Sequence, residues 1–227
     1  MAVEVAPGVT VGGRLFPASP NAPLLVFFHG NGEIAADYDE LAPLFTWLDV
    51  TLLVMDFRGY GRSGGQPGAR TLLGDAVLAF KATGAVAREH GLEPTRQVVM
   101  GRSLGSAAAI QVACQVTENL DGLIIESGFA DTGGLLTRMG VRMAGFDEAR
   151  DGFDNLGKIS RVNAPTLVIH GEEDRLVPVV DGRALYERCG AVRKRLLVVA
   201  EAGHNDLLAV GMSQYLGAIR DWMAAIV

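Results

Sequence analysis

The sequence predicts an α/β protein: a mostly parallel central sheet of about eight strands with helices on both faces. Short apolar runs alternate with segments of helical periodicity along the chain, as in sheets that are buried on both sides. The 227 residues are 49% apolar, which is enough for one substantial core, and the apolar residues form short blocks. An antiparallel hairpin is expected at the N-terminal edge, because residues 3–16 alternate around Pro7-Gly8.

The remaining elements follow from the spacing of apolar residues. Further strands are predicted at 24–28, 50–55, 98–100, 122–125, 166–169 and 196–200. Helices are predicted at 37–47, 72–89, 104–114, 135–143, 182–189 and 212–226. The first of these helices is expected in spite of Pro43, and the last depends on an apolar stripe that includes Trp222.

Residues 1–227 are expected to form a single domain, with residues 129–161 as a possible short lid. This stretch has no strong pattern apart from the helix at 135–143. Phe129, Met139 and Met143 are candidates to line an apolar substrate pocket, together with Gly32. Ordinary packing explains such an apolar stripe equally well.

Composition excludes several classes of protein. The net charge is −6 and the basic residues are scattered, which argues against a nucleic-acid partner. No uninterrupted apolar stretch is long enough for a membrane span, and the start MAVEVAPG does not resemble a signal peptide. The two cysteines form no CxxC pair, so a cytoplasmic location is the expectation.

A candidate nucleophile lies between the strand at 98–100 and the helix at 104–114. Residues 101–105 read GRSLG, the G-x-S-x-G pattern of a sharp strand-to-helix turn that lifts a serine hydroxyl above the sheet. Residues 61–65 read GRSGG and match the same pattern, but GQPG follows Ser63 where a helix would have to begin. Ser103 is therefore the predicted nucleophile, and a buried serine in a tight turn is the alternative.

A serine hydroxyl needs a base, and the chain has four histidines. His204 lies in a short loop after the last strand, from which it could reach a serine at the same edge of the sheet. His29 precedes a glycine loop, His90 ends a charged helix, and His170 ends a strand, which predicts a buried position for it. His204 is the predicted base, with a loop-stabilising hydrogen bond as the alternative.

The base in turn needs a carboxylate to orient it. Asp174 follows the strand at 166–169 and is the predicted acid. Glu126, at the end of another strand, is its rival, with a hydrogen bond beneath the loops as its alternative role. Glu172 and Glu173, which directly precede Asp174, also compete for this role but are expected to be solvated.

Acyl transfer also needs donors for the developing oxyanion, and two backbone N–H groups are candidates. Leu104 offers one at the start of its helix. Asn31 offers the second in the glycine loop GNG after the strand at 24–28, and Gly32 is the next choice. A plain tight turn is the alternative for this loop.

Two other patterns are decoys. Residues 59–64, GYGRSG, match the dinucleotide motif G-x-G-x-x-G, but no helix is predicted to begin there. No metal motif is present, so neither a metal nor another cofactor is expected. Arg58 and Arg102 could attract an anionic group, although structural roles are favoured for both.

Taken together, the motifs resemble those of the α/β-hydrolase superfamily. They are HGNG from His29, DFRGYGRSGG from Asp56, GRSLGS from Gly101, HGEEDRLVP from His170 and GHND from Gly203. The resemblance implies that Ser103, Asp174 and His204 form the catalytic triad and that Asn31 and Leu104 form the oxyanion hole. The stretch ESGF from Glu126 is similar to a small, lid-poor branch that includes esterases and thioesterases of lipid-modified proteins. The cap domain is expected to be absent or reduced.

The predicted activity is hydrolysis of carboxylic esters or thioesters through an acyl-enzyme on Ser103. The same triad could instead act on an amide, a lactone or a carbon–carbon bond. A binding protein with a hydrolase-like fold is the non-enzymatic alternative. A small-molecule acyl substrate is the expected partner, and the oligomeric state is left open.

Overall fold

A computed structural model describes residues 1–226 and contains one eight-stranded sheet. The strands are β1 (Ala2–Ala6), β2 (Val9–Phe16), β3 (Leu24–Phe28), β4 (Thr51–Met55), β5 (Gln97–Arg102), β6 (Gly122–Glu126), β7 (Thr166–Gly171) and β8 (Lys194–Val199). Their order is β1-β2-β4-β3-β5-β6-β7-β8. The hairpin β1–β2 and the pair β2–β4 are antiparallel, and the other neighbours are parallel. The predicted fold class is confirmed.

Helices cover both faces of this sheet. They are α1 (Ala42–Trp47), α2 (Ala69–Glu89), α3 (Leu104–Gln115), α4 (Thr132–Arg138), α5 (Glu148–Asp151), α6 (Asn155–Ile159), α7 (Val179–Arg188) and α8 (Leu207–Ala225). Helices α2, α3 and α7 pack into the apolar core on one face. Helices α1 and α8 pack into a second core on the other face. In residues 1–226, no helix combines the length and apolar character that spanning a bilayer requires.

Two of the predicted helices are shorter in the structure than predicted. The segment predicted at 37–47 forms a 3₁₀ turn at Ala35–Tyr38 followed by the short helix α1. Pro43 lies in the first turn of α1, where the N–H that it lacks would have no partner within the helix. A new helix therefore starts here, and the preceding turn does not continue into it. The helix predicted at 135–143 is α4, which the Asp131 side chain caps at its start and which ends before Gly140, at φ 78°.

The parallel strands present their carboxyl ends at one edge of the sheet, and this edge carries the candidate site. Phe28 of β3 pairs in register with Gly101 of β5, and Arg102 pairs with Glu126 of β6. The loops that follow these strands are therefore neighbours in space. Ligands bind at this edge in open α/β sheets.

Candidate active site

The turn at Ser103 is strained and tightly packed. Its φ of 51° and ψ of −116° lie in a region that residues with side chains rarely adopt. A Cβ at Gly101 would collide with the carbonyl oxygen of Gly105, and a Cβ at Gly105 would collide with that of Phe28. Both glycines are therefore required by the space available. The Ser103 N–H donates to the carbonyl oxygen of Glu126 at 2.9 Å, which fixes the turn to β6.

Three side chains from separate loops form a continuous chain of hydrogen bonds. His204 Nε2 lies 3.0 Å from Ser103 Oγ, and His204 Nδ1 lies 2.7 Å from Asp174 Oδ2. With the ring hydrogen on Nδ1, the imidazole donates to the carboxylate and accepts from the serine hydroxyl. The structure thus brings together the three residues that the sequence singles out, and Asp174, not Glu126, faces the His204 ring.

Several donors surround the Asp174 carboxylate. Its Oδ1 accepts from the N–H groups of Leu176 at 3.0 Å and Val177 at 2.8 Å. His170 Nε2 lies 3.5 Å from Oδ2 and donates to the Val177 carbonyl oxygen at 2.8 Å. Burial alone would raise the pKa of Asp174, but hydrogen bonds from His170, His204 and the Val177 N–H outweigh it and lower this pKa well below its usual range.

The oxyanion candidates lie at this edge, Leu104 as the first residue of α3 and Asn31 in the loop after β3. Among residues 1–226, neither the N–H of Leu104 nor that of Asn31 donates to another protein atom. The Asn31 side chain accepts a hydrogen bond from the Tyr60 hydroxyl at 2.6 Å, which ties the loop after β3 to the loop after β4. Gly32 follows with φ 79°, a conformation that favours glycine. Beneath the loop, the buried His29 Nε2 lies 3.3 Å from Asp56 Oδ1.

Glu126 and the two arginines have structural partners. Glu126 accepts from the Tyr215 hydroxyl at 2.6 Å and from Arg102 Nε at 3.2 Å, and burial raises the pKa of this carboxyl. Arg58 forms two hydrogen bonds with Asp75, at 2.8 and 2.7 Å. Because Arg58 and Arg102 are paired with carboxylates, the structure favours a structural role for each over attraction of an anion.

The second G-x-S-x-G match has a different environment. Ser63 Oγ accepts from the Gly12 N–H at 2.8 Å and is therefore a brace between the loop and β2. A Cβ at Gly61 would collide with the Asp56 carboxylate, and the next helix, α2, begins only at Ala69. Neither a nucleophile turn nor a dinucleotide loop is formed here. Within residues 1–226, no three His, Cys, Asp or Glu side chains are grouped as metal ligands.

Two cavities flank the triad on opposite faces of the sheet. The first, of about 240 Å³, is lined mainly by apolar groups, among them Phe57, Tyr60, Thr71, Leu72, Leu104 and Phe153. The second, of about 270 Å³, is lined among others by Glu33, Phe45, Arg102, His204, Leu207 and Tyr215. Each cavity thus borders one component of the candidate site, Leu104 in the first case and His204 in the second.

The residues predicted to line a substrate pocket lie elsewhere. Phe129 is fully buried and packs edge-on against Phe153, with ring centroids 5.7 Å apart. Met139 and Met143 are 56% and 55% exposed, because α4 ends at Arg138 and leaves them on the loop that follows. Gly32 is exposed and lines neither of the two cavities beside the triad. The structure therefore places Phe129 in the core, and it is not among the residues that line either cavity.

Sequence reasoning did not find two contacts at the site. The Tyr60–Asn31 hydrogen bond joins loops whose conformations no local pattern indicates. The Arg102–Glu126 pair did leave a signal, because both residues lie within two positions of the ends of the predicted strands 98–100 and 122–125, and opposite charges on neighbouring strands favour pairing.

The strand order and a serine on a tight turn between β5 and α3 define the class of α/β-hydrolases. A family profile described as "Serine aminopeptidase, S33" matches residues 19–146 and 135–208, and the chain belongs to this family of α/β-hydrolases. The chain is 31% identical over 215 residues to alpha/beta hydrolase domain-containing protein 17B of Homo sapiens. That match covers 91% of this chain and 68% of the human protein, so the chain spans about two thirds of this relative.

Solved structures share the fold. A monoacylglycerol lipase of Paleococcus ferrophilus aligns with a TM-score of 0.70 and 19% identity, covering 96% of this chain and 99% of that one. An esterase of Pyrococcus furiosus aligns with a TM-score of 0.79 and 19% identity, covering 99% of this chain and 90% of that one. At this level of identity the likeness establishes the architecture.

Proposed function

We propose that this chain is a serine hydrolase that cleaves carboxylic esters or thioesters through an acyl-enzyme on Ser103. The observation that carries the proposal is the chain of hydrogen bonds from Ser103 through His204 to Asp174. This arrangement supplies a nucleophile, a base that can accept its proton, and a carboxylate that orients the base.

In the first half of the reaction, His204 Nε2 takes the hydroxyl proton while Ser103 Oγ attacks the substrate carbonyl carbon. The N–H groups of Leu104 and Asn31 stabilise the oxyanion, and each such donor lowers the barrier by roughly 3–4 kcal/mol. The carbon–oxygen or carbon–sulfur bond then breaks, and the leaving group takes the proton from Nε2. Asp174 stays ionised and stabilises the charged imidazole.

In the second half, His204 removes a proton from water, and the resulting nucleophile attacks the acyl carbon. The same two N–H groups stabilise the second oxyanion. Ser103 leaves as the proton returns from Nε2 to Oγ, which releases the carboxylic acid and restores the enzyme. The net reaction consumes one water for each ester or thioester cleaved.

The positions of the cavities favour one orientation of the substrate. Leu104 lines the apolar cavity of about 240 Å³ and also carries a candidate oxyanion N–H, so an acyl chain would lie there. His204 must protonate the leaving group, which would lie on the side of the second cavity. Residues 129–161 would form a short lid on a single hydrolase domain.

The comparisons support an ester at the level of class. Two structural neighbours are named a monoacylglycerol lipase and an esterase, whereas the family description names an aminopeptidase. An amide is thus the second candidate bond. A role limited to binding is disfavoured because it would not explain the strained backbone at Ser103, a conformation that costs of order 1–3 kcal/mol.

A substrate panel tests the proposal. The wild type, Ser103→Ala and Ser63→Ala are assayed with p-nitrophenyl esters from acetyl to dodecanoyl, with the matching thioesters, and with aminoacyl anilides. We expect turnover of esters or thioesters by the wild type and Ser63→Ala, and loss of it in Ser103→Ala. Exclusive cleavage of anilides would show that the enzyme acts on an amide bond and not on an ester or thioester. Equal turnover by the wild type and Ser103→Ala would remove Ser103 as nucleophile.

A further inference from the structure

The Arg102 guanidinium lies where three loops of the candidate site meet. Its Nε donates to Glu126 at the end of β6, 3.2 Å away, and its Nη1 pairs with Glu33 in the loop after β3. Its Nη2 donates to the main-chain oxygen of His204 and to Oδ1 of Asn205, both at 2.9 Å. One side chain, adjacent in sequence to Ser103, thus contacts the loop that carries the candidate base and the loop that carries a candidate oxyanion donor.

The contact with Glu33 reaches the backbone of the oxyanion loop. Glu33 Oε2 accepts from the N–H of Gly30 at 2.8 Å and from the Tyr38 hydroxyl at 2.7 Å. A Cβ at Gly30 would lie 2.7 Å from Arg102 Nη1, so the loop and the guanidinium are packed without spare room. A shift of the guanidinium would therefore move the residue that precedes Asn31.

We propose that Arg102 is a positioning residue that holds the His204 loop and the Asn31 loop at fixed distances from Ser103. The inference rests on the proposed function for its effect on turnover. A guanidinium suits this task because its planar fork offers five N–H donors, and here the fork has four separate acceptors. A lysine would supply the same charge as a single point and could not reach all four acceptors at once.

Two roles for Arg102 must be separated. One is only to neutralise the charges of the half-buried Glu33 and the buried Glu126, which any cation at this place would do. The other is to hold the two loops, which needs the geometry of the guanidinium. Arg102→Lys distinguishes them because it preserves the charge and changes the geometry. Arg220→Lys, at an exposed arginine of α8 that pairs with its neighbour Asp221, is the matched control.

We expect Arg102→Lys to lower kcat by about tenfold or more, since small misplacements of catalytic groups have effects of this size. KM should stay within about twofold: Arg102 lines the cavity on the leaving-group side, but its guanidinium is occupied by four protein acceptors. In proton NMR, the far-downfield resonance of the His204 Nδ1 hydrogen, assigned by its absence in His204→Gln, should be lost or broadened. Wild-type kcat together with an unchanged resonance in Arg102→Lys would overturn the proposal.

Asn205→Ala is the second variant, in case Arg102→Lys does not fold. Asn205 is exposed, so this change removes one contact of Arg102 without leaving a buried charge unpaired. We expect kcat to fall about threefold in the wild-type background and not to fall further when Arg102 is already lysine. Unchanged kcat and an unchanged resonance in Asn205→Ala, or equal losses of kcat in both backgrounds, would contradict the proposal.

The failure of the proposed function would look different. In that case the wild type would cleave none of the esters or thioesters, or Ser103→Ala would keep its turnover. The histidine resonance does not depend on turnover, so its comparison between the wild type, Arg102→Lys and Asn205→Ala would still decide whether Arg102 positions His204.

Discussion

The Tyr60 hydroxyl donates a hydrogen bond to Asn31 Oδ1 over 2.6 Å, although the two residues are 29 positions apart in sequence. Asn31 belongs to the loop after β3 and Tyr60 to the loop after β4, so this bond fixes the conformation of the residue whose N–H is a candidate oxyanion donor. Tyr60 also lines the apolar cavity of about 240 Å³. A single side chain thus connects the oxyanion loop with the proposed acyl site.

Tyr60→Phe tests this connection. Removing the hydroxyl should lower kcat for short-chain esters by about tenfold, less than the loss of an entire oxyanion donor, because the Asn31 N–H is present but less well held. KM for acetyl esters should change little, since the ring that lines the cavity is kept. Tyr186→Phe, which removes the hydroxyl of a half-buried tyrosine of α7, is the control. Equal kcat in the wild type and Tyr60→Phe would show that the bond has no part in turnover.

The strained turn at Ser103 predicts a difference in stability between two inactive variants. Both Ser103→Gly and Ser103→Ala lack the hydroxyl, but only glycine adopts φ 51° with ψ −116° without steric cost. We expect Ser103→Gly to have the larger free energy of unfolding, by about 1 kcal/mol after allowing for the greater flexibility of glycine in the unfolded chain. Denaturant melts of both variants supply the measurement, and a more stable Ser103→Ala would contradict this account of strain.

The lowered pKa of Asp174 predicts how stability depends on pH. The carboxyl of an aspartate has a pKa of about 3.9 in the unfolded chain, and the pKa of Asp174 in the folded protein is lower. As pH falls, the unfolded state therefore takes up a proton first. The stability that the carboxylate contributes is therefore complete above about pH 5 and is lost progressively below about pH 4. Melting temperatures of wild type and Asp174→Asn should differ most near neutral pH and converge in acid.

Activity gives the companion measurement for Asp174. Asp174→Asn should reduce kcat by about 10³–10⁴-fold, because an amide can stabilise neither the correct ring tautomer nor the charged imidazole. Glu172→Gln, at an exposed carboxylate of the same loop, is the matched control and should retain wild-type turnover. If both variants kept wild-type kcat, the carboxylate next to His204 would have no catalytic role.

The proposed acyl site predicts a change in chain-length preference. Thr71 is half-buried and lines the apolar cavity from the first turn of α2. In Thr71→Phe, the larger side chain should fill that space and lower kcat/KM for octanoyl and longer esters by about tenfold or more, while acetyl esters are affected by less than about threefold. Leu78→Phe, at an exposed position of the same helix, is the control. A uniform loss across all chain lengths would place the acyl chain elsewhere.

The sequence predicted the sheet well because its inner strands are buried on both faces. The apolar runs at 24–28 in β3 and 52–55 in β4 are unbroken and end where the strands end. The starts of helices were harder to predict. Helix α2 begins at Ala69, three residues before Leu72, the first residue of its apolar stripe. The exposed first turn carries no apolar pattern from which its start could be predicted. Residues 129–161 were the least predictable, since their helices are short and Met139 and Met143 stay exposed.

The site was predictable to the extent that its residues follow strand ends. Ser103, Asp174 and His204 each stand after a strand of the parallel sheet, and topology alone brings such positions to one edge. The contacts between loops, such as Tyr60 with Asn31, depend on irregular backbone conformations that no periodicity encodes.

The close approach of Gly105 to the carbonyl oxygen of Phe28 has a consequence for any attempt to redesign this protein. Admitting even a methyl group at position 105 would require α3 to retreat from β3, and Leu104, the first residue of that helix, would move with it. Its N–H, the proposed oxyanion donor, would then be displaced relative to Ser103. Substitutions that change the packing of α3 against β3 would therefore also change the reactivity of the site. A library of variants at this contact would yield proteins that fold but are inactive.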